Sequence, residues 1–576
     1  MKQIMGKGVV DGVCLASVMT LSEDIEGVLD RYAVSTIEDE KSAYQQASQA
    51  AVGQIEELIK NATDQTQADV LNAHLLMITD VMLTDSIEAK ISGGLSAPRA
   101  VMDAANEMAA MLGAIEDEYL KERSKDVIDI GKRMVRIMLG ISAPDIAVGY
   151  HVLCGDDIEP SMVANMTSEH VGAIILGQGS TTSHAVIIAK TKGIPTVVGL
   201  GNHIDAIENG ETVYVDGETG EIIISPDETV KVRYQERVAA IKAMAKQYDA
   251  IVDQPSVLKD GMHLPLAINV GNPTDIDSMK ANGAEGVGLY RTEFVFMGKA
   301  KAPDEDEQFE AYRYVVERAK PHLCVIRTLD IGGDKPADYL EIGEEANPFL
   351  GWRAIRICLD KPELFKTQIR AILRASHYGK AAIMLPMIIS ESEVLDSKAL
   401  IDEAKAELRT AGMPFDEAIE VGIMIETPAA VMQAERLAKV VDFFSVGTND
   451  LTQYTLAVDR GNPKISDRYD YFHPSVLYAI NMVAAAAHAN GIWIGMCGEM
   501  AGDPLALPVL LAMGFDELSM SAPSVLKVKY LMKSLKVDSV LLDDVLASRS
   551  AVDTRARLTH YLEKIKLKEE IHEKDY

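Results

Sequence analysis

Apolar residues recur at helical spacing from Ser35 to Asn61, where Ala43, Ala47, Val52, Ile55 and Leu58 alternate with charged and glutamine positions. A second helical pattern covers Gln67 to Ile91 and breaks at Gly93-Gly94. Pro98 then suits a first helical turn, and a third pattern runs from Ala100 through Glu116, Tyr119 and Arg133 to Leu139, ending near Gly140. From about 145 to 225 the texture changes to short β-rich runs at 172–176, 196–200, 212–216 and 221–225, with one helix expected at Ser183–Lys192. The strand-like N-terminal residues are expected to pair into this α/β unit, which makes the helical segment an insertion. Residues 226–252 read as a charged connecting helix. Beyond 255, strands are predicted at 264–270, 285–291, 323–329, 381–387, 420–426, 443–448, 492–497 and 517–521, with helical patterns between them. Eight β/α units in about 300 residues suit a (β/α)₈ barrel. A doubly wound open sheet has the same alternation, and periodicity alone leaves both open.

Composition narrows the class. A chain of 576 residues is too long for one core, so several domains are expected. Aromatics make up 5%, so core volume must come from aliphatics and the 27 methionines. A net charge of -31 argues against nucleic-acid binding and favours a basic protein partner. The five cysteines (Cys14, Cys154, Cys324, Cys358, Cys497) are scattered, which fits neither a disulfide framework nor a zinc site. No apolar run is long enough to span a bilayer, so no membrane insertion is expected and the cytoplasm is the default compartment.

Most predicted strands of the C-terminal half deliver a reactive polar group at their ends: Arg291, Arg327, Glu426, Asn449 with Asp450, and Cys497. In a barrel these ends share one face, where active sites form. Any one of them alone reads as a loop residue or helix cap; five such strands among eight do not. Arg291, Arg327 and Arg460 offer planar donors to phosphate or carboxylate, while Glu426 and Asp450 suit Mg²⁺ held jointly with a phosphate. In the segment LGQGSTTSHAVIIAK, a Gly/Ser/Thr loop leads into His184 at an expected helix start, where Thr182 and Ser183 can cap and free N–H groups favour an anion. A histidine there either carries a phosphoryl group or simply caps the helix.

The segments VGLYRTEFVFM (287–297), VIRTLDIGGDK (325–335), NPFLGWRAIR (347–356), GIMIETPAA (422–430), DFFSVGTNDLTQYTLAVDRGN (442–462), GMCGEMAGD (495–503) and EDEYLKERSKDVIDIGKR (116–133) resemble the Enzyme I family of phosphoenolpyruvate–protein phosphotransferases over nearly the whole chain. The resemblance implies a multidomain α/β protein. A swivelling phosphohistidine domain (1–20 and 145–225) would hold an inserted helical domain (21–144) that docks the carrier HPr. A linker helix (226–252) would lead to a C-terminal (β/α)₈ barrel (253–576) that binds phosphoenolpyruvate and forms a homodimer. It implies that His184 accepts the phosphoryl group and Cys497 protonates enolpyruvate to pyruvate. Arg291, Arg327, Arg460, Asn449 and Asp450 would contact substrate, with Arg353 as a further cation, and Glu426 and Asp450 would hold Mg²⁺. The sequence departs from the family pattern at Gly179, Ser180 and Thr181 before Thr182-Ser183-His184, at Lys190 where Arg is frequent, and at KGVVDGV (7–13). These changes leave the barrel site untouched and imply weaker support around the phosphohistidine. A pyruvate phosphate dikinase relative would need a large nucleotide-binding domain ahead of the histidine, and a nitrogen-branch Enzyme I an N-terminal sensory domain. Neither has room here. A non-catalytic regulatory paralogue would not need His184, Cys497, Glu426 and Asp450 together.

Overall fold

The structure is a computed structural model that describes residues 1–574 except 22–24, 62–64, 115–117, 142–148, 157, 159–166, 168, 179–185, 187, 188, 191, 298, 334–337, 341, 344 and 463. His184, the loop before it and most of the helix expected at Ser183–Lys192 therefore lie outside the described residues. The chain divides into two compact units, Met1–Ala243 and Met244–Tyr576.

The first unit is built on an eight-stranded mixed sheet. Its strands are β1 (Lys2–Met5), β2 (Lys7–Val10), β3 (Val13–Thr20), β4 (His151–Gly155), β5 (Val171–Leu176), β6 (Thr196–Val198), β7 (Thr212–Asp216) and β8 (Glu221–Ile224), in the order β1-β8-β7-β3-β4-β5-β6-β2. The N-terminal strands thus pair with strands from beyond residue 150: β3 lies antiparallel to β7 and parallel to β4. The helices between them are Ile25–Leu29, Ile37–Asn61, Gln65–Ile78, Val81–Ser92, Ala97–Gly113 and Glu118–Leu139. The second helical pattern is two helices and not one. Asp80 breaks it by accepting hydrogen bonds from Met82 N–H (2.8 Å) and Leu83 N–H (3.2 Å), a side-chain N-cap that restarts the helix. The third pattern also divides, into Ala97–Gly113 with Pro98 in its first turn and Glu118–Leu139. These two pack closely, since a methyl on Gly131 would sit 2.8 Å from Ala105 Cβ. The charged connecting helix runs from Glu228 to Asp249, and Arg233 pairs with Glu221 at 2.7 Å.

The second unit decides between the two α/β alternatives in favour of a closed barrel. Strands β9 (Leu266–Val270), β10 (Val287–Arg291), β11 (Cys324–Arg327), β12 (Ala381–Leu385), β13 (Glu420–Ile425), β14 (Phe443–Val446), β15 (Trp493–Met496) and β16 (Glu517–Met520) are all parallel, and β16 pairs with β9 to close the ring. Each coincides with a predicted strand, shortened by up to a few residues. Period-2 alternation sorts the side chains. Ile326, Ile383, Ile423, Phe444 and Ile494 face the surrounding helices, whereas Leu289, Val325, Met384, Met424, Phe443 and Cys497 fill the interior. Arg327 follows Val325 by two positions, so the same alternation aims it inward at the carboxyl end of the strand.

Polar side chains share this interior, Asn269, Ser519 and Glu517 among them. Glu517 opens β16 with its carboxyl in the space left by Gly288, and burial pushes its pKa up to about 7 from 4.5. The folded barrel therefore retains a proton that the unfolded chain releases between pH 4.5 and 7, so this group's contribution to stability falls as pH rises through that window. Glu517→Gln should flatten the fall, with an effect of at most about 3 kcal/mol at pH 8. Calorimetry of both proteins from pH 4.5 to 8 checks this, and parallel pH profiles would refute it.

Candidate active site

The carboxyl ends of β11, β13 and β14 and the loops that follow them bring several charged side chains into one buried cluster. Arg327 is 5% exposed; its guanidinium donates to Glu293 and lies 3.0 Å from Asp330 Oδ2 and 3.9 Å from Glu426 Oε1. Arg353, from the loop before helix Ile355–Asp360, is 2% exposed and donates to Asp330 Oδ1 at 2.8 Å and to Tyr454 OH at 3.2 Å. Asp330 thus uses one carboxylate oxygen for each arginine. Asp450 lies in the first turn of helix Thr448–Leu456, 3.6 Å from Arg353 and 3.4 Å from Arg460.

The electrostatics follow from this crowding. Burial alone would lower the pKa of Arg327, but Glu293, Asp330 and Glu426 raise it, and Asp330 and Asp450 do the same for Arg353, so both stay cationic. Burial, with Asp450 and Asp330 beside it, holds the Glu426 carboxyl well above the usual carboxylate range, against the pull of Arg327. Glu426 Oε2 accepts from Met387 N–H at 2.8 Å, whereas Asp450 Oδ1 is buried without a hydrogen bond. Excess negative charge around Glu426 and an Asp450 oxygen that faces Arg460 at 3.4 Å but accepts no hydrogen bond fit a divalent cation held by these two carboxylates.

Cys497 follows β15 and is 2% exposed, with its N–H on Val446 O at 3.1 Å. Burial pushes its thiol up to about 11; Ser445, Arg327 and Arg291 act in the opposite sense and Glu426 reinforces the rise. The thiol is protonated at neutral pH. Asn269 ties this strand end to β9 by donating to Cys497 O at 3.0 Å. Asn449 Oδ1 accepts from Glu499 N–H at 3.0 Å, joining the exits of β14 and β15. Arg291 stands at the end of β10 and lines a cavity of about 660 Å³ with Asn269, Asp275, Glu499 and Ser521.

Arg327, Arg353, Glu426, Asp450 and Arg460 therefore share one cluster. Arg291, Asn449 and Cys497 stand at neighbouring strand ends, and His184 lies outside the described residues. Sequence reasoning missed Glu293, Asp330, Tyr454 and Asn269. Glu293 and Asp330 follow Arg291 and Arg327 by two and three residues, so strand-end position was a signal for both; Tyr454 and Asn269 carry none.

A buried arginine–carboxylate site at the mouth of a parallel barrel, in one chain with a mixed α/β unit, suits an enzyme that acts on a multiply charged anion. Three PEP-utilising enzyme families match: the PEP-binding domain over residues 245–537, the N-terminal domain over 5–123 and the mobile domain over 149–220. The phosphoenolpyruvate-protein phosphotransferase of Staphylococcus carnosus is 42% identical over 541 residues, covering 93% of this chain and 94% of the relative. That of Bacillus subtilis is 42% identical over 536 residues, covering 92% and 94%. The chain belongs to the phosphoenolpyruvate-protein phosphotransferase family. A structure described as an NMR solution structure of Enzyme I (nEIt) is 27% identical and covers 42% of this chain and 99% of its own, with a TM-score of 0.35.

Asp330 is the common acid of two buried guanidinium groups, so Asp330→Asn should destabilise the barrel by about 3–5 kcal/mol, the range for breaking a buried ion pair. Urea unfolding followed by Trp352 and Trp493 fluorescence measures this. A midpoint equal to wild type would show that the arginines are held by other groups.

Proposed function

We propose that this enzyme moves the phosphoryl group of phosphoenolpyruvate onto His184 and from there onto a histidine of the carrier HPr, releasing pyruvate, as the first step of sugar uptake by the phosphotransferase system. The observation that carries this reading is the paired, buried Arg327 and Arg353 with Glu426 and Asp450 at the barrel mouth. Phosphoryl transfer needs charge neutralisation and in-line placement more than covalent help. Arg291, Arg327, Arg353 and Arg460, with Asn449, would bind the phosphate and carboxylate of the substrate. Glu426 and Asp450 would hold Mg²⁺, which would supply charge withdrawal from phosphate oxygens.

In the first step the P–O bond to the enol oxygen breaks as an imidazole nitrogen of His184 bonds to phosphorus. The electron pair left on oxygen makes an enolate, and the Cys497 thiol gives its proton to the enolate carbon. A thiol held near 11 keeps that proton until the enolate forms. Residues 1–20 with 145–225 would be the carrier of His184, with 226–252 as its linker. Residues 21–144 would dock HPr, where Leu76, Val81 and Met82 present exposed apolar side chains around one helix junction and the chain's acidic excess favours a basic partner. Homodimerisation through the barrel is supported by exposed Met432, Tyr478 and Met482 on two helices that pack together. Among the described residues no helix is long and apolar enough to cross a membrane; we assign the protein to the cytoplasm.

Incubation with phosphoenolpyruvate labelled in its phosphate, Mg²⁺ and HPr should label the enzyme and then HPr, while His184→Ala stays unlabelled. Cys497→Ser should slow pyruvate formation by about 10²-fold or more, the usual contribution of a general acid. A wild-type protein that takes no label from this mixture would overturn the reading.

A further inference from the structure

Strand β11 leaves the barrel with a backbone problem. Its last ladder bond runs from Thr328 N–H to Met384 O at 2.9 Å, and the partner strand β12 then ends at Leu385, followed by Pro386. Leu329 is 1% exposed, so its N–H cannot turn to water. It donates to Gln368 Oε1 at 2.8 Å, a side chain that comes from helix Pro362–Ser376 outside the barrel.

That bond fixes the orientation of the Gln368 amide, and a chain of directed bonds follows from it. Gln368 Nε2 donates to Thr292 Oγ1 and to Tyr312 OH, both at 3.1 Å. Thr292 Oγ1 donates onward to Arg327 O at 2.9 Å, and Tyr312 OH donates to Gln308 Oε1 at 3.0 Å. Gln308 Nε2 ends the chain on Pro303 O at 3.0 Å. Gln308, Tyr312, Thr292 and Gln368 are all at most 1% exposed, and each group is used in the one polarity that satisfies its neighbours. Two branches of the chain grip the same three residues: Arg327 by its carbonyl, through Thr292, and Leu329 by its N–H, directly. On either side of that grip stand the Arg327 side chain and Asp330.

We propose that Gln368 is a positioning residue for phosphoenolpyruvate binding, which fixes the exit of β11 so that Arg327 and Asp330 meet the substrate and Arg353 at the right separation. The inference rests on the reading of the arginine cluster as the substrate site. Loss of the Gln368 amide leaves the buried Leu329 N–H without its acceptor and so costs stability on any reading. If Gln368 also sets the exit of an active-site strand, its loss must show in substrate binding as well, because a displacement of about 1 Å at a substrate-binding group lowers rates by up to about 10²-fold.

The test compares full-length wild type, Gln368→Met and Ser376→Ala. Ser376 lies on the same helix and is buried, donating to Leu373 O at 2.6 Å and accepting from Asp416 N–H at 2.9 Å, so its loss reports general damage to that helix. Gln368→Met should raise KM for phosphoenolpyruvate by about tenfold or more with a smaller change in kcat, and should speed hydrogen exchange across residues 325–331. Ser376→Ala should lower the thermal midpoint while leaving both readouts at wild-type values. A wild-type KM or unchanged exchange in Gln368→Met, or an equal rise of KM in Ser376→Ala, would overturn the proposal. If the wild type itself does not use phosphoenolpyruvate, the reading of the site falls separately, and the exchange measurement still decides whether Gln368 holds the strand exit.

Discussion

Two guanidinium groups buried at one barrel mouth repel each other unless an acid stands between them, and Asp330 is that acid, with one oxygen committed to each. Desolvating a charge is costly, and a buried pair is tolerable only where geometry is good and remaining donors are used. The cluster answers that cost chiefly by alternating sign: Glu293, Arg327, Asp330, Arg353, Asp450 and Arg460 succeed one another across the mouth, while Arg327 Nε and Arg353 Nε are left without a hydrogen bond. The cations are thereby fixed before any anion arrives. On the proposed reading, an incoming phosphate would meet donors already oriented, the condition under which electrostatic stabilisation is strongest.

The backbone has been bent to suit this arrangement. Met387 and Ala354 have φ of 57° and 54°, a region that side chains with a Cβ seldom occupy. Met387 is the residue whose N–H reaches Glu426, and Ala354 directly follows Arg353 with its N–H on Ile331 O at 3.0 Å. Both are buried, and the surrounding core holds them there. Gly498 makes the opposite accommodation: a methyl there would come within 2.6 Å of Thr448 N, so the segment after Cys497 can approach helix Thr448–Leu456 only because it carries none.

The barrel was largely legible in the sequence because its strands are short apolar runs bounded by turn residues, and the site because reactive groups fall at strand ends in register with the alternation. What periodicity could not tell was closure, which is a pairing between β16 and β9 and leaves no local mark. The helical segment was read less well. Asp80 looks like any exposed acid in an amphipathic run until its carboxylate is found on Met82 and Leu83. The partners of the site residues were hardest to see. Tyr454 is one among 19 tyrosines, and Asn269 acts through a bond to a backbone carbonyl 228 residues away, a relation that only the fold creates.

The ring of strands is sealed by residues far apart in the chain: Ser519 donates to Asn269 at 2.7 Å across 250 positions, and Lys529 Nζ reaches Val252 O and Gly283 O across a similar span. During translation, the arginines on β10 and β11 therefore emerge long before the segment that completes their enclosure. Until β16 is made, β9 is an open sheet edge, and open edges attract foreign strands. The sheet of the first unit needs nothing beyond Ile224 and can be whole by then. A nascent chain of this protein thus carries a finished α/β unit ahead of a half-barrel with charged groups still hydrated, and it dries those groups only in its final tenth.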